Sequence, residues 1–306
     1  MNIRIFITGG SGYIGSVLIP TLTDNISCVI KNYDLKEYYD LTDFSQLLSE
    51  MAMFKPDLVI HLAAISTVNG CSTLEKTMAV NLTGTKNVLK AMSIIECKHI
   101  IYASSCAVYG NLGIPGNFPV YENDPIHPIS PYGCSKLAGE HIIFNHYHIR
   151  NNLGNYIIFR MFNVVGTSKY QSSLNFGEDR IFSKLFNGEI IIYGKDYPTE
   201  DGTCVRDYVS ITDICQAYLN AVKVIMTLKI RECINLSSCK PISVLGLIKT
   251  WNNMMKSYNY EKVKIIIGNR RLNDPVYIVG FNNKAQIYLN WRPQQSMKEI
   301  MINMIN

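Results

Sequence analysis

The sequence predicts an α/β fold built on a doubly wound parallel sheet, and three observations carry that prediction. Apolar, strand-like runs alternate with longer segments of helical spacing as far as about residue 165. The runs are rich in Ile and Val and apolar on both faces, as in a sheet covered by helices on both sides. A glycine-rich turn follows the first run directly, where such folds hold phosphate.

The elements justify this in order. "IRIFITG" (3 to 9) is the first strand, and "FITGGSGYIGS" joins it to the first helix with Gly9, Gly12 and Gly15 at three-residue spacing. Placed after the first strand of a βαβ unit, these glycines permit a tight turn and bring a pyrophosphate to the helix N-terminus, so the domain is of the Rossmann type. "CVIKNYD" (28 to 34) is the second strand and ends in Asp34, 25 residues beyond Gly9. An acid there binds the ribose hydroxyls of NAD and repels a 2′-phosphate. Lys31 and Lys36 flank it, however, so NADP is disfavoured and not excluded, and NAD is the expected cofactor. "DLVIHLAA" (57 to 64) and "HIIYASS" (99 to 105) are further strands, and Leu74–Met92 and Tyr132–Asn151 have helical spacing. "YIIFRMFNVVG" (156 to 166) reads as one more strand. In an open α/β sheet ligands collect at the carboxyl ends of strands, which is where Ser104 and Ser105 fall.

Past residue 166 the alternation loosens, so residues 1–166 are expected to form the nucleotide-binding domain. Residues 167–306 mainly form a smaller C-terminal substrate-binding domain, with segments near 207–237 and 276–287 returning to the first. Composition fits an enzyme: of 306 residues, 47% are hydrophobic, and the formal charge is only +5 with no dense basic run. That argues against nucleic-acid binding and favours small anions. The nine cysteines show neither CxxC pairs nor His-rich neighbours, which speaks against a metal site and a disulfide framework and for a reducing compartment. A first strand beginning at Ile3 leaves no room for a signal peptide, and no apolar run reaches the ~20 residues of a membrane span. The expectation is a soluble cytoplasmic protein.

"PYGCSK" places Tyr132 and Lys136 four apart at a helix start, on one face. The same spacing recurs at Tyr258/Lys262 and Tyr260/Lys264, but only the first pair follows a strand ending in serines. Using Tyr132 as a base near pH 7 requires displacing its pKa by roughly three units, or ~4 kcal/mol. A neighbouring ammonium and a cationic nicotinamide ring supply that kind of displacement.

At this point the residues resemble the extended short-chain dehydrogenase/reductase superfamily, and within it the UDP-glucose/UDP-galactose 4-epimerases. "TGGSGYIGS", "HLAA" (61 to 64), "NLTGTKNVL" (81 to 89), "SSCAVYG", "YGCSK" and "RMFNVVG" (160 to 166) carry the resemblance. "YGKDYPTEDGTCVRDYV" (193 to 209), "RRLNDP" (270 to 275) and "LNWRP" (289 to 293) extend it over nearly the whole chain. The resemblance implies a catalytic set of Ser105, Tyr132 and Lys136. It implies NAD contacts from Gly9, Gly12, Tyr13, Ile14, Gly15, Asp34, Asp40, Leu41, Leu62, Ala63, Ala64, Asn81 and Phe162, together with Tyr132 and Lys136. For a UDP-hexose substrate it implies Ser105, Asn163, Arg206, Arg271, Asp274 and Ile278, the arginines gripping the diphosphate in pairs of hydrogen bonds. Ile278 matches a position that limits room around the sugar C2 group. The superfamily commonly forms homodimers through two helices per subunit.

The chain departs from the pattern in three places. Only "LKEYY" separates Asp34 from Asp40, where the 4-epimerases carry a longer connection with another strand. Ser66 stands where a lysine is usual, and Met161 replaces a tyrosine; by contrast with the superfamily's dehydratases, which carry an Asp-Glu pair there, the chain has Cys106 and Ala107. Without those acids, water elimination has no proton donor and acceptor. A 4-keto-sugar reductase would need exchangeable NADPH, against which Asp34 leans. A catalytically silent NAD-binding regulator is the outside alternative, although Ser105, Tyr132 and Lys136 are all retained.

Overall fold

The computed structural model describes residues 2–66, 74–112, 119–148, 154–170, 181–258 and 261–305. Six parallel strands form the central sheet: β1 (Ile3–Thr8), β2 (Cys28–Tyr33), β3 (Leu58–His61), β4 (His99–Ser105), β5 (Asn155–Met161) and a late strand, Arg231–Leu236. In space the order is β2-β1-β3-β4-β5 and then that late strand. The order reverses at β1/β3, which opens the crevice where such sheets bind ligands. Helices α1 (Gly15–Asn25), α2 (Phe44–Phe54), α3 (Leu74–Met78), α4 (Gly84–Ile94) and α5 (Pro131–His148) make the crossovers. Between α3 and α4 the chain makes one π-helical turn, Ala79–Thr83. Residues 149–151, expected to continue α5, lie outside the described residues.

Among the described residues the sheet has no strand beyond β2. "LKEYY" forms a short 3-10 turn, Leu35–Glu37, and leads straight to α2, so β2 is an edge strand with Val29 exposed. The segment 156–166 is two strands. Met161 faces Ser105, the last residue of β4, so beyond it the chain has no partner on that side. Residues Asn163–Val165 (β6) pair instead with a strand of a second sheet, Val205–Ser210.

The later elements are α6 (Ile181–Phe186), β7 (Glu189–Tyr193), β8 (Val205–Ser210), α7 (Ile211–Thr227), β9 (Arg231–Leu236), β10 (Pro241–Ser243), α8 (Val244–Lys256), β11 (Lys264–Gly268), β12 (Tyr277–Ile278), α9 (Asn283–Leu289) and α10 (Met297–Ile305). β8 is flanked by β10 and β12 and also takes β6, while β7 and β11 form a separate parallel pair. Two apolar cores cover the two faces of the main sheet. One, under α1, α7 and α9, includes Ile5, Ile60, Ile101 and Tyr218; the other, under α2, α4 and α5, includes Phe6, Val59, Met92 and Tyr102. A third core around Trp251, Phe182 and Met301 belongs to the C-terminal elements.

Candidate active site

The glycine loop sits where β1 and β3 diverge. Gly9 has φ +74°, and a Cβ there would lie 2.6 Å from the backbone of Ala63, so only glycine permits this approach of the two strand ends. The loop is tied down by Asp34, whose carboxylate accepts from Ser11 N (3.0 Å) and Lys36 N (2.9 Å). Lys36 Nζ donates to Ser11 O at 3.1 Å, whereas Lys31 pairs with Glu50 at 2.8 Å and Tyr39 and leaves the Asp34 side. Tyr13 Oη reaches Gly166 O at 2.6 Å, and Ile14 begins α1 without a side-chain cap. A carboxylate at the end of β2, a bare glycine turn and an uncapped helix start fit a dinucleotide.

Around this crevice, Leu41 is buried against Gly84, and Asp40 folds its carboxylate onto Thr42 N at 2.8 Å. Leu62, Ala63 and Ala64 are half-buried just past β3, and Phe162 is buried just past β5. Ser66 is exposed, and residues 67–73 lie outside the described residues.

Ser105 ends β4 and caps a 3-10 turn, Cys106–Tyr109, accepting from Ala107 N at 3.2 Å. The first turn of α5 is pressed against it, for a Cβ on Gly133 would fall 2.5 Å from Ala107 O. That contact brings Tyr132 to the end of the serine strand. Lys136, only 2% exposed, donates to Ala103 O at 2.7 Å. Its Nζ lies 5.0 Å from the Tyr102 ring centre and 5.8 Å from that of Tyr132. Burial pulls its pKa down to about 7, partly opposed by Glu140. The structure thus gathers Ser105, Tyr132 and Lys136. Tyr258 sits half-exposed beyond α8, and Tyr260 lies outside the described residues.

Arg206 on β8 pairs with Asp274 at 2.5 Å, and its register partner is Ile278. The acid beside it in sequence, Asp207, is turned inward: it accepts from Ser238 N and Oγ, Cys239 N and Gly280 N, and burial raises its pKa to about 6. Asn163 Nδ2 donates to Asp207 O at 3.1 Å. The Arg271 guanidinium lies 3.9 Å above the Tyr193 ring, and Arg270 stacks on Tyr197. Ile278, only 3% exposed, is part of the main core.

The contacts of several residues that shape the site escape sequence reading. Asn81, expected to touch cofactor, is 2% exposed: Ile65 N donates to its Oδ1, and its Nδ2 donates to Ile65 O and Ser135 Oγ (2.9 Å). Ser135 Oγ in turn donates to Tyr132 O at 2.8 Å. His61 bridges Thr8 Oγ1 (2.6 Å) and Thr85 Oγ1 (3.0 Å) and is held neutral by burial, its pKa lowered to about 3. The Thr85 hydroxyl proton goes to Asn81 O, so His61 donates from Nε2 and accepts at Nδ1 from Thr8. "HLAA" contained the signal for His61, since a polar residue closing an apolar strand needs buried partners.

A six-stranded dinucleotide-type sheet with a Tyr-Lys pair over its strand ends defines a nucleotide-cofactor oxidoreductase scaffold. The chain belongs to the NAD dependent epimerase/dehydratase family, which it matches over residues 5–236. It is 31% identical to a UDP-glucose 4-epimerase of Lacticaseibacillus casei over 94% of this chain and 91% of that one. It is 30% identical to the Lactobacillus helveticus UDP-glucose 4-epimerase, over 95% and 92% respectively. Among solved structures, the UDP-glucose 4-epimerase from Bifidobacterium longum in complex with NAD+ and UDP superposes with a TM-score of 0.86 at 25% identity, covering 99% of this chain and 97% of that one. No described helix is long and apolar enough to cross a membrane.

Proposed function

We propose that this chain is an NAD-dependent isomerase that interconverts UDP-glucose and UDP-galactose by inverting C4. The observation that carries the reading is the seating of Tyr132 and Lys136 against the Ser105 strand end, beside the glycine loop and Asp34. Bound NAD would supply the reversible hydride exchange that turns the C4 alcohol into a ketone and back. Gly9, Gly12, Gly15 and Asp34 would hold it, with Asp40, Leu41, Ala63 and Phe162 along the same crevice.

The chain's own groups then have distinct work. Ser105 holds the C4 oxygen by hydrogen bonding. Tyr132 Oη takes the C4 hydroxyl proton and later returns it. Lys136, as an ammonium, holds the cofactor ribose and favours the tyrosinate. Arg206 and Arg271 grip the diphosphate, for which Asp274 and the Tyr193 ring hold the two guanidiniums ready. Asn163 orients the substrate near the same phosphates, and Ile278 shapes the wall beneath the sugar. A homodimer in the cytoplasm completes the reading; exposed Ile94 on α4 and Phe144 on α5 support self-association through those helices.

The test incubates purified protein with UDP-galactose and no added cofactor. UDP-glucose accumulates to equilibrium without net NADH. Inactivity toward both hexoses and both N-acetylhexosamines, together with NADPH-dependent reduction of a 4-keto sugar, would replace the epimerase by a reductase.

A further inference from the structure

Behind the Ser105–Tyr132–Lys136 set lies a second, wholly buried polar group. Glu140 stands one helical turn beyond Lys136 on α5 and is 5% exposed. Ser104 Oγ donates to its Oε1 at 2.5 Å, while Arg160 on β5 donates through Nε to Oε1 (3.1 Å) and through Nη2 to Oε2 (2.7 Å). Arg160, 4% exposed, spends Nη1 on Tyr109 Oη and Glu122 O. Tyr109 Oη then donates to Asn235 Oδ1 on β9. Three strands and the turn after Ser105 are therefore locked to one carboxylate.

We propose that Glu140 is a positioning residue: clamped by Ser104 and Arg160, its carboxylate keeps the buried Lys136 amine charged where it donates to Ala103 O beside Tyr132. The inference rests on the epimerase reading only for its kinetic consequence. A dry ammonium has a strong tendency to lose its proton. Among the described residues, the groups that face Lys136 include one acid, Glu140. From its own helix come Tyr132 and Glu140, from β4 come Tyr102 and Ala103 O, and from β3 comes His61, held neutral. Asn81 and Thr85, on the π-helical turn and α4, add neutral side chains bonded to Ser135 and His61. Around Glu140 itself stand Arg160, Ser104, Tyr102 and, from β9, the Cys233 thiol, whose deprotonation burial disfavours.

The division of labour is one of charge. Arg160 binds the far edge of the carboxylate in a fork and supplies donors that satisfy it without water. The remaining negative potential falls on the amine one turn back. Had the Glu140 site been apolar, the Lys136 amine would be left with uncharged groups: a carbonyl, two tyrosine rings and neutral His61.

The experiment follows Lys136 directly, without ligand. The protein is labelled with lysine carrying carbon-13 at Cε, and the Lys136 signal is assigned by its loss in Lys136→Met. In Glu140→Gln the Lys136 titration midpoint should fall by about 1 pH unit or more, the low end of the effect of removing a nearby opposite charge. Glu140→Asp, which keeps the charge, should return most of the difference. Because Glu140→Gln leaves Arg160 buried without its anion, a double variant with Arg160→Met removes both charges and protects folding. Its Lys136 midpoint should also fall. In turnover, the alkaline limb of the pH profile should move down by the same interval as the midpoint. An unchanged Lys136 midpoint in either folded variant, or a turnover loss that is uniform across pH, overturns the proposal. Absence of epimerase activity in the parent would overturn the functional reading and leave the titration result standing on its own.

Discussion

Replacing Lys136 by methionine should destroy catalysis and stabilise the protein at once. The reasoning starts from the pKa, which burial lowers from an ordinary 10.5 to about 7. A drop of that size corresponds to about 5 kcal/mol of folding free energy forgone while the amine is charged in both states. The sign follows from linkage. Below pH 7 the folded and unfolded chains both carry the proton, so the full penalty applies. Between about 7 and 10.5 only the unfolded chain binds it, and stability climbs by up to about 1.4 kcal/mol per pH unit. Methionine has a similar length and no charge. It also strips the donor from Ala103 O, a loss of about 1 to 3 kcal/mol. The net gain is about 2 to 4 kcal/mol at or below neutral pH, shrinking as the pH rises toward 10. Urea unfolding of the ligand-free protein at pH 6, 7.5 and 9.5 reads this directly as a midpoint change at constant slope. A variant less stable than the parent at all three pH values would refute the reasoning, as would a gain that does not vary with pH.

Three further outcomes can be checked. Tyr132→Phe should cut turnover by at least ~10²-fold, while Tyr258→Phe, half-exposed and remote from the strand ends, should leave it near the parent's value; steady-state rates decide both. Asp34→Ala should weaken NAD binding by roughly 10- to 100-fold, the scale of a charged hydrogen bond lost, as read by calorimetry on cofactor-stripped protein. His61 contributes stability that is complete above pH 6.5 and is lost as the pH falls from there toward its lowered pKa of about 3. Acid unfolding of His61→Gln should therefore show a shallower dependence on pH over that interval than the parent does.

What could be read from the sequence was whatever is local. The glycine turn, the acid closing β2 and the Tyr-Lys pair on one helical face are short-range patterns, and each lies where the alternation of strands and helices places it. The break between Met161 and Asn163 was invisible, because it depends on where β4 stops and on β8, more than 40 residues later, taking up the chain. Arg206 illustrates a different limit. An acid follows it immediately, yet its partner is Asp274, and Asp207 serves instead to join the turns after β9 and β12. Adjacent residues of a strand point to opposite faces, so a neighbour in sequence is a poor guide to a partner.

The buried polar chain from β1 to α5 shows why such groups matter to the site. Ala63 N donates to Thr8, Thr8 to His61, His61 to Thr85, and Thr85 to the carbonyl of Asn81. Asn81 then holds the segment after β3 with one hand and Ser135 with the other, and Ser135 fixes the Tyr132 carbonyl. Every link but Thr85–Asn81 and Ser135–Tyr132 spans 16 residues or more, so no motif displays it. Yet the chain runs from the strand that launches the glycine loop to the helix that carries the proposed base. It makes the glycine loop and Tyr132, the proposed base, parts of one rigid object. A fully satisfied network of this kind tolerates no partial removal, since each orphaned group costs about 1 to 3 kcal/mol. On the proposed mechanism geometry justifies the expense: proton transfer at C4 would require Tyr132 to stay within hydrogen-bond reach of a sugar held from the other side of the crevice.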